Sequence, residues 1–203
     1  TCLGAAREEE IVYRRGAQPT DLICVSGNLG AAYMGLQLLE REKRVFAGEK
    51  GDFEPDFAEH EYILERQLRP EARQDIILAL REKGLRPTSM IDSSDGLASE
   101  LLHLATESGV GVRIYEERLP IDIETLRMAE ELNMSTTTVA MNGGEDFELI
   151  FTIPLAELDR LKELDGIHII GHVTSPGQGC YLVTSDGAEL RLRAQGWPDE
   201  AEE

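Results

Sequence analysis

Two carboxylates and two hydroxyls fall within one tight turn near the middle of the chain, in the run Asp92-Ser93-Ser94-Asp95-Gly96. The short run Thr88 to Ile91 before it is typical of the end of a strand, and an apolar helical period follows it. A strand-turn-helix junction directs backbone N–H groups and the positive end of a helix dipole at whatever lies above the turn. Asp92 and Asp95 are hard oxygen ligands, so the turn could hold Mg²⁺ with a phosphate as a further ligand.

The helix after this turn is predicted to begin at Leu97 and to stop at Gly109. Ser and Asp are the commonest residues at helix N-termini. Ser94 or Asp95 could therefore be no more than an N-cap, with the other acid simply solvated. Taken alone, the turn favours this capping interpretation over a metal site.

A second group of candidate residues, Gly143-Gly144-Glu145-Asp146, precedes a predicted strand. From Phe147 to Ile153 the side chains alternate with a period of two, and one face is mostly apolar. The glycines permit positive φ angles or the close approach of a ligand. Glu145 and Asp146 would lie at the mouth of the strand, where binding groups are often placed. An ordinary turn with polar ends explains this segment, taken alone, at least as well.

The two segments, in this order, resemble those of thiamine-monophosphate kinases. That family belongs to the superfamily of aminoimidazole-ribonucleotide synthetase, selenophosphate synthetase and the hydrogenase-maturation dehydratase. The resemblance covers nearly the whole chain, and the pair of acidic segments is its most specific part. Other matching segments are Tyr13 to Pro19, Asp21 to Gly30, Leu68-Arg69-Pro70 and Gly196-Trp197.

The resemblance implies ATP-dependent phosphorylation of thiamine monophosphate to thiamine diphosphate. We expect direct phosphoryl transfer, because the sequence carries no Ser-His-Asp or Cys-His signature of a phospho-enzyme. The family's site residues match six positions here. The implied roles are Mg²⁺ ligation by Asp92 and Asp95, ATP contact by Arg14 and Ser94, and substrate contact by Glu145 and Trp197.

Two of these roles have plain alternatives. Arg14 suits phosphate oxygens because a guanidinium presents a planar fork of donors, but it could equally be a surface arginine. Trp197 could stack on a thiamine ring or simply pack near the terminus. Its surroundings depart from the family, because Pro198-Asp199-Glu200 replaces the usual Asp-His-Phe. Glu145 and Trp197 lie far from Asp92 in sequence, so we expect them across a cleft from the acidic turn.

The mixture of predicted strands and helices indicates an α/β (α+β) fold, with one mixed sheet covered by helices. At 203 residues the chain is expected to form one domain, 1–203. The resemblance implies that this is the C-terminal domain of a two-domain kinase. The chain has no starting Met and no acidic Gly-Asp-Asp type motif before Arg14. We therefore expect the N-terminal metal-binding and dimerisation domain to be absent here, the chain alone to be inactive, and the full-length protein to be a homodimer.

Composition limits the possible partners. The chain has 39 acidic and 20 basic residues, a formal net charge of −19. Such a surface repels nucleic acid and anionic membrane, so we expect neither as a partner, and bridging Mg²⁺ becomes close to a requirement for binding phosphates. Three isolated cysteines indicate reduced thiols, and no membrane span or leader is evident, so we expect a cytoplasmic protein.

Two other functions compete with this one. The first is another enzyme of the same superfamily, of the hydrogenase-maturation or purine-synthesis type, and the Gly143 to Leu149 segment argues against it. The second is a non-catalytic ligand-binding domain, which ATP turnover would exclude.

Further predicted elements are strands at Ile11–Tyr13, Asp21–Ser26, Gly111–Tyr115 and Ile167–Val173, a hairpin about Asp186-Gly187, a loop at Gly48–Pro55, and helices at Gly30–Glu42, Phe57–Leu68, Glu71–Lys83, Ile123–Leu132 and Leu155–Leu164.

Overall fold

The structure is a computed structural model that describes residues 4–48, 55 and 57–194. Seven strands form one mixed sheet. They are β1 Leu22–Ser26, β2 Ser89–Asp92, β3 Gly111–Tyr115, β4 Leu149–Ile153, β5 Ile167–Thr174, β6 Cys180–Val183 and β7 Glu189–Arg191. Their order is β2-β4-β1-β5-β3-β6-β7, and neighbours are antiparallel except for the parallel pair β3 and β6.

Seven α-helices surround this sheet in the described part of the chain. They are α1 Ala31–Gly48, α2 Glu61–Leu68, α3 Gln74–Glu82, α4 Leu97–Ser108, α5 Ile123–Glu131, α6 Thr136–Asn142 and α7 Leu158–Leu161. Short 3-10 helices occur at Glu8–Glu10, Glu116–Arg118 and Leu155–Glu157. The predicted α+β fold with a helix-covered mixed sheet is confirmed.

Helices cover the sheet in two layers. One core packs α4 residues such as Leu101 against Val25 and Ile114 of the strands. On the opposite face, Leu80 of α3 packs with Phe151 of β4. A third apolar cluster joins α1, α2, α5 and α6, away from the sheet. Strand β4 is therefore buried on both faces, which is why apolar residues occupy nearly every position in it.

The strand directions bring several chain ends to one edge of the sheet. Both β1 and β2 run antiparallel to β4, so they run parallel to each other. Their carboxyl ends, Ser26 and Asp92, lie at the same edge as the amino end of β4. Helices α1 and α4 also begin there, five residues after each strand end. This edge therefore gathers two helix N-termini and both predicted acidic segments.

Several predicted elements differ from the observed ones. Ile11–Tyr13 is not a strand. Among the described residues, one backbone bond joins it to β2, from Met90 N to Tyr13 O at 2.9 Å, so the segment lies along the free edge of β2 without a ladder. The predicted helix Leu155–Leu164 is divided between a 3-10 turn and the short α7, and α2 and α3 begin later than predicted. Helix α6 was not predicted. The predicted loop Gly48–Pro55 lies almost wholly outside the described residues.

The hairpin about Asp186-Gly187 is confirmed, with β6 and β7 paired antiparallel. Helix α4 has the predicted bounds, and Gly109 adopts a left-handed conformation at its C-terminus. Among the described helices, none combines the length and the apolar character needed to span a membrane.

Candidate active site

The two acidic segments meet directly. Ser93 N donates to Glu148 O at 2.7 Å, and Phe147 N donates to Ser93 O at 2.9 Å. Glu145 N donates to Ser94 O at 2.8 Å. These bonds continue the pairing of β2 with β4 past the ends of both strands. The turn at Asp92–Gly96 and the segment before β4 therefore form one continuous backbone unit.

Two glycines allow the backbones to approach this closely. Gly96 has φ +100°, and a Cβ there would lie 3.0 Å from Asn142 Cα. Gly144 has φ +70°, and a Cβ there would lie 2.7 Å from Ser94 O. An L side chain at either position would be strained by its backbone angle and obstructed by its neighbour. The Gly-Gly signal in the sequence thus marks a close backbone contact.

The capping interpretation of the acidic turn is wrong. The N-cap of α4 is Gly96, and no side chain caps the helix. Instead, Ser94 Oγ donates to Glu100 Oε1 at 3.3 Å, and Asp95 N donates to the same oxygen at 3.1 Å. Ser94 and Asp95 are therefore held by a carboxylate from within the helix.

Asp92 and Asp95 are both exposed at the sheet edge. Neither carboxylate has a hydrogen bond or ion pair to another described residue. No group of three or more His, Cys, Asp or Glu side chains in the described part of the chain could hold a metal ion. Mg²⁺ is commonly held by one or two carboxylates together with substrate phosphates and water. Two free carboxylates three residues apart fit that mode of binding, and they do not fit an all-protein cage.

Glu145 lies beside the acidic turn, and the expectation that it lies across a cleft is wrong. Its backbone is bonded to Ser94, its side chain is exposed, and its φ is +61°. Phe147 has φ +51°. Left-handed backbone at non-glycine residues is uncommon and is concentrated at functional sites. The geometry directs the Glu145 side chain outward at the edge that carries Asp92 and Asp95.

The other two acids of this segment face inward. Asp146, which we expected among the binding groups at the strand mouth, is 2% exposed and accepts hydrogen bonds from Gly30 N at 2.6 Å and Ala32 N at 3.1 Å. It therefore binds the N-terminus of α1. Burial raises the pKa of Asp146 to about 6, and the two backbone N–H donors act in the opposite direction.

Glu148 is 1% exposed and lies at the centre of a buried ionic cluster. Arg66 of α2 approaches its Oε1 at 2.8 Å, and Arg73 approaches its Oε2 at 2.6 Å. Ser26 at the end of β1 also donates to Glu148. Sequence inspection missed this cluster and Glu100. For Glu100, the sequence signal was an acid in the first turn of a predicted helix. For the ionic cluster, it was the pair of arginines Arg66 and Arg73.

Arg14 and Trp197 are not brought into this unit. Arg14 is exposed on the segment that runs along β2, next to the Tyr13 carbonyl that accepts from Met90. It thus lies along the strand that ends at Asp92, and no described residue pairs with it. Trp197 lies outside the described residues.

Known proteins resemble this chain in sequence. Thiamine-monophosphate kinase of Aquifex aeolicus is 33% identical over 178 residues, which are 83% of this chain and 54% of that protein. Thiamine-monophosphate kinase of Escherichia coli is 37% identical over 191 residues, covering 91% and 54% of the two chains. No family model matches the chain.

Solved structures resemble it as well. A thiamine-monophosphate kinase complexed with AMPPCP and TMP matches with a TM-score of 0.69 and 34% identity, over 88% of this chain and 52% of that one. A hydrogenase maturation protein from E. coli matches with a TM-score of 0.65 at 18% identity, over 93% and 54%. The latter likeness concerns the fold alone.

The chain has the fold of the solved thiamine-monophosphate kinases, and a hydrogenase maturation protein shares that fold. Sequence identity separates the two likenesses. It is 29–37% with the thiamine-monophosphate kinases and 18% with the hydrogenase maturation protein. The chain is a homologue of thiamine-monophosphate kinases, similar to them over most of its own length. It spans about half the length of the curated relatives it matches.

Proposed function

We propose that this chain carries part of the active site of an ATP-dependent kinase that converts thiamine monophosphate to thiamine diphosphate. The observation that carries the proposal is the junction of the two acidic segments. It presents the free carboxylates of Asp92, Asp95 and Glu145 at one edge of the sheet. The related structure with AMPPCP and TMP supports ATP and thiamine monophosphate as the two substrates.

Asp92 and Asp95 would hold Mg²⁺ at the nucleotide phosphates. When bound, the metal supplies neutralisation of the phosphate charge. That neutralisation matters here because the chain carries a net charge of −19, which would otherwise repel ATP. Arg14, on the segment along β2, would contact a phosphate with its guanidinium fork. Ser94 would contact ATP from within the same turn.

Glu145 would orient the second substrate. Thiamine carries a cationic thiazolium ring, and an exposed carboxylate attracts such a cation. Its position beside Ser94 would bring that substrate next to the nucleotide phosphates. Trp197 would contribute an aromatic face, as the family resemblance implies.

The transfer step requires positioning more than acid–base chemistry. A phosphate oxygen of thiamine monophosphate is the nucleophile and is already ionised near neutral pH. It attacks the γ-phosphorus of ATP, the bond from that phosphorus to the bridging oxygen breaks, and ADP leaves. No side chain has to remove a proton. The task of the turn is to keep the two phosphates aligned and close.

The domain organisation, the oligomeric state and the compartment are part of the same proposal. We place this chain as the C-terminal domain of a two-domain kinase, with the remaining metal ligands and the homodimer interface in the other domain. The cytoplasm is the proposed compartment, supported by the free thiols of Cys24 and Cys180.

A substrate panel tests the function. The full-length enzyme is supplied with ATP, Mg²⁺ and one acceptor at a time, and the phosphorylated product is identified by chromatography. We expect thiamine diphosphate from thiamine monophosphate, and little product from thiamine or from carbamoyl and amide acceptors. Preferential phosphorylation of an amide oxygen would indicate a different branch of the superfamily, and ATP binding without turnover would indicate a binding domain.

A further inference from the structure

We propose that Glu100 is a positioning residue that sets the orientation of Ser94 and Asp95 for cation binding, an inference that rests on the proposed kinase function. Glu100 lies in the first turn of α4 and is 3% exposed. Its Oε1 accepts from Ser94 Oγ at 3.3 Å and from Asp95 N at 3.1 Å. Both side-chain bonds of this buried acid therefore go to the acidic turn.

Glu100 fixes the turn that precedes α4, a role that the side chain of the N-cap residue has in many helices. The N-cap position is Gly96, where a side chain would be strained by the φ of +100° and crowded by Asn142. Without a cap side chain, nothing in the cap itself fixes the path of the preceding turn. Glu100 reaches back from within the helix and fixes it by two hydrogen bonds. Proximity to the positive end of the α4 dipole favours a carboxylate at this position.

The bonds decide which groups the turn presents outward. A carboxylate oxygen accepts, so the hydroxyl of Ser94 is the donor, and its proton points inward. The lone pairs of Ser94 Oγ are left for the outer side. The N–H of Asp95 is also engaged, whereas the carboxylates of Asp92 and Asp95 are exposed and unpaired among the described residues. The outer face of the turn thus offers oxygen acceptors.

A surface of acceptors favours a cation over a bare phosphate. Phosphate binding at such a turn relies on free N–H donors, and Glu100 takes up one of them, the N–H of Asp95. The carboxylates of the turn then contact the nucleotide through the metal, and loss of the Glu100 acceptor weakens metal binding before it weakens folding.

Two substitutions in the full-length enzyme separate the acceptor from the bulk of the side chain. Glu100→Gln keeps a carbonyl oxygen at the same place, and Glu100→Met keeps the length and volume but has no oxygen acceptor. Ser99→Ala is the matched control, because Ser99 is a buried neighbour in the same turn of α4 with no bond to the acidic segment. The readouts are kcat, the Mg²⁺ concentration for half-maximal rate, Mn²⁺ binding by EPR, and the melting temperature.

For Glu100→Met, which loses both hydrogen bonds to the turn, we expect the Mg²⁺ and Mn²⁺ requirements to rise by roughly tenfold or more. Glu100→Gln and Ser99→Ala should remain within about threefold of the wild type, and the KM for thiamine monophosphate should change little in all three. A changed melting temperature with unchanged metal binding in Glu100→Met would overturn the proposal. So would a Glu100→Gln enzyme as defective as Glu100→Met. Mn²⁺ binding needs no turnover, so an inactive wild type would refute the kinase function and still allow the role of Glu100 to be measured.

Discussion

At the scale of single residues, the acids of the site divide into exposed and buried groups that sequence could not distinguish. Asp92, Asp95 and Glu145 are exposed, whereas Glu100, Asp146 and Glu148 are buried and bonded to backbone or arginine. All six look alike in a chain with 39 acidic residues. The family resemblance indicated which acids would bind metal and substrate. Which acid faces outward depends on the left-handed backbone at Glu145 and Phe147, for which the sequence offers only the neighbouring glycines.

The exposed pair should act through metal and not through folding. Asp92→Asn and Asp95→Asn keep the shape of the turn but remove a charge that has no described partner. In the full-length enzyme we expect each to lower kcat by at least tenfold and to raise the Mg²⁺ requirement, as loss of a metal ligand does. The melting temperature should shift little. Asp159→Asn, an exposed acid of α7, is the matched control for charge. A large fall in melting temperature with unchanged Mg²⁺ dependence would count against the metal role.

Glu145 should affect the thiamine substrate more than ATP. Glu145→Gln removes the charge that would attract the thiazolium ring, and its backbone bond to Ser94 is unaffected. We expect the KM for thiamine monophosphate to rise by about fivefold to tenfold, corresponding to roughly 1 kcal/mol for a solvent-screened charge contact. The KM for ATP, measured in the same preparation, should stay nearly constant. An equal rise in both constants would mean that Glu145 supports the turn and does not contact the substrate.

At the scale of elements, periodicity and stop signals predicted the seven observed strands and helix α4, but they ended α1 at Glu42 instead of Gly48 and placed a strand at Ile11–Tyr13. Helix α4 was bounded correctly because its apolar period is regular and Gly109 ends it. Helix α6 was missed because Thr136, Thr137 and Thr138 have weak helix propensity. The cap at Ser135, which accepts from Thr138 N, was a usable signal for it. The contact between the acidic turn and the segment before β4 could not be predicted, because it follows from strand pairing between residues about 50 positions apart.

Asp146 ties the segment before β4 to helix α1, and its burial predicts a specific pH dependence. Its pKa rises from 3.8 to about 6 on folding, so the folded state binds the proton more tightly than the unfolded chain. The contribution of Asp146 to stability is therefore greatest below pH 4 and is lost as the pH rises to about 6. The loss can reach about 3 kcal/mol, since each pKa unit corresponds to about 1.4 kcal/mol. Asp146→Asn removes this titration and keeps one oxygen acceptor for the α1 N-terminus.

We expect Asp146→Asn to gain stability relative to the wild type between pH 4 and pH 6.5, and the difference to level off above that range. Urea unfolding of both proteins at several pH values measures it, and other titrating groups cancel in the comparison. Arg66 and Glu148 are the charged groups that act on the pKa of Asp146, and they remain in both proteins. A difference between the two proteins that stays constant across this range would show that Asp146 titrates normally.

At the scale of the whole molecule, we expect the acidic edge to be one surface of a larger site. The described residues supply two free carboxylates for a cation and no cluster of three, and the chain spans about half the length of its relatives. Phosphoryl transfer between two anionic substrates requires charge neutralisation from several directions. Further ligands would therefore come from outside this part of the protein. The edge gathers the groups that this chain contributes, and it leaves them open to solvent.

We accordingly predict that residues 1–203 alone form thiamine diphosphate at less than about a thousandth of the full-length rate, the scale expected when a preorganised part of a phosphoryl-transfer site is lost. Both proteins are assayed with ATP, Mg²⁺ and thiamine monophosphate at matched active-site concentrations. Circular dichroism of the chain alone serves as the control, because a helical signal with a cooperative melt separates an incomplete site from an unfolded one. Comparable rates in a folded chain would mean that the acidic turn and Glu145 suffice for catalysis, and that the second domain has another task.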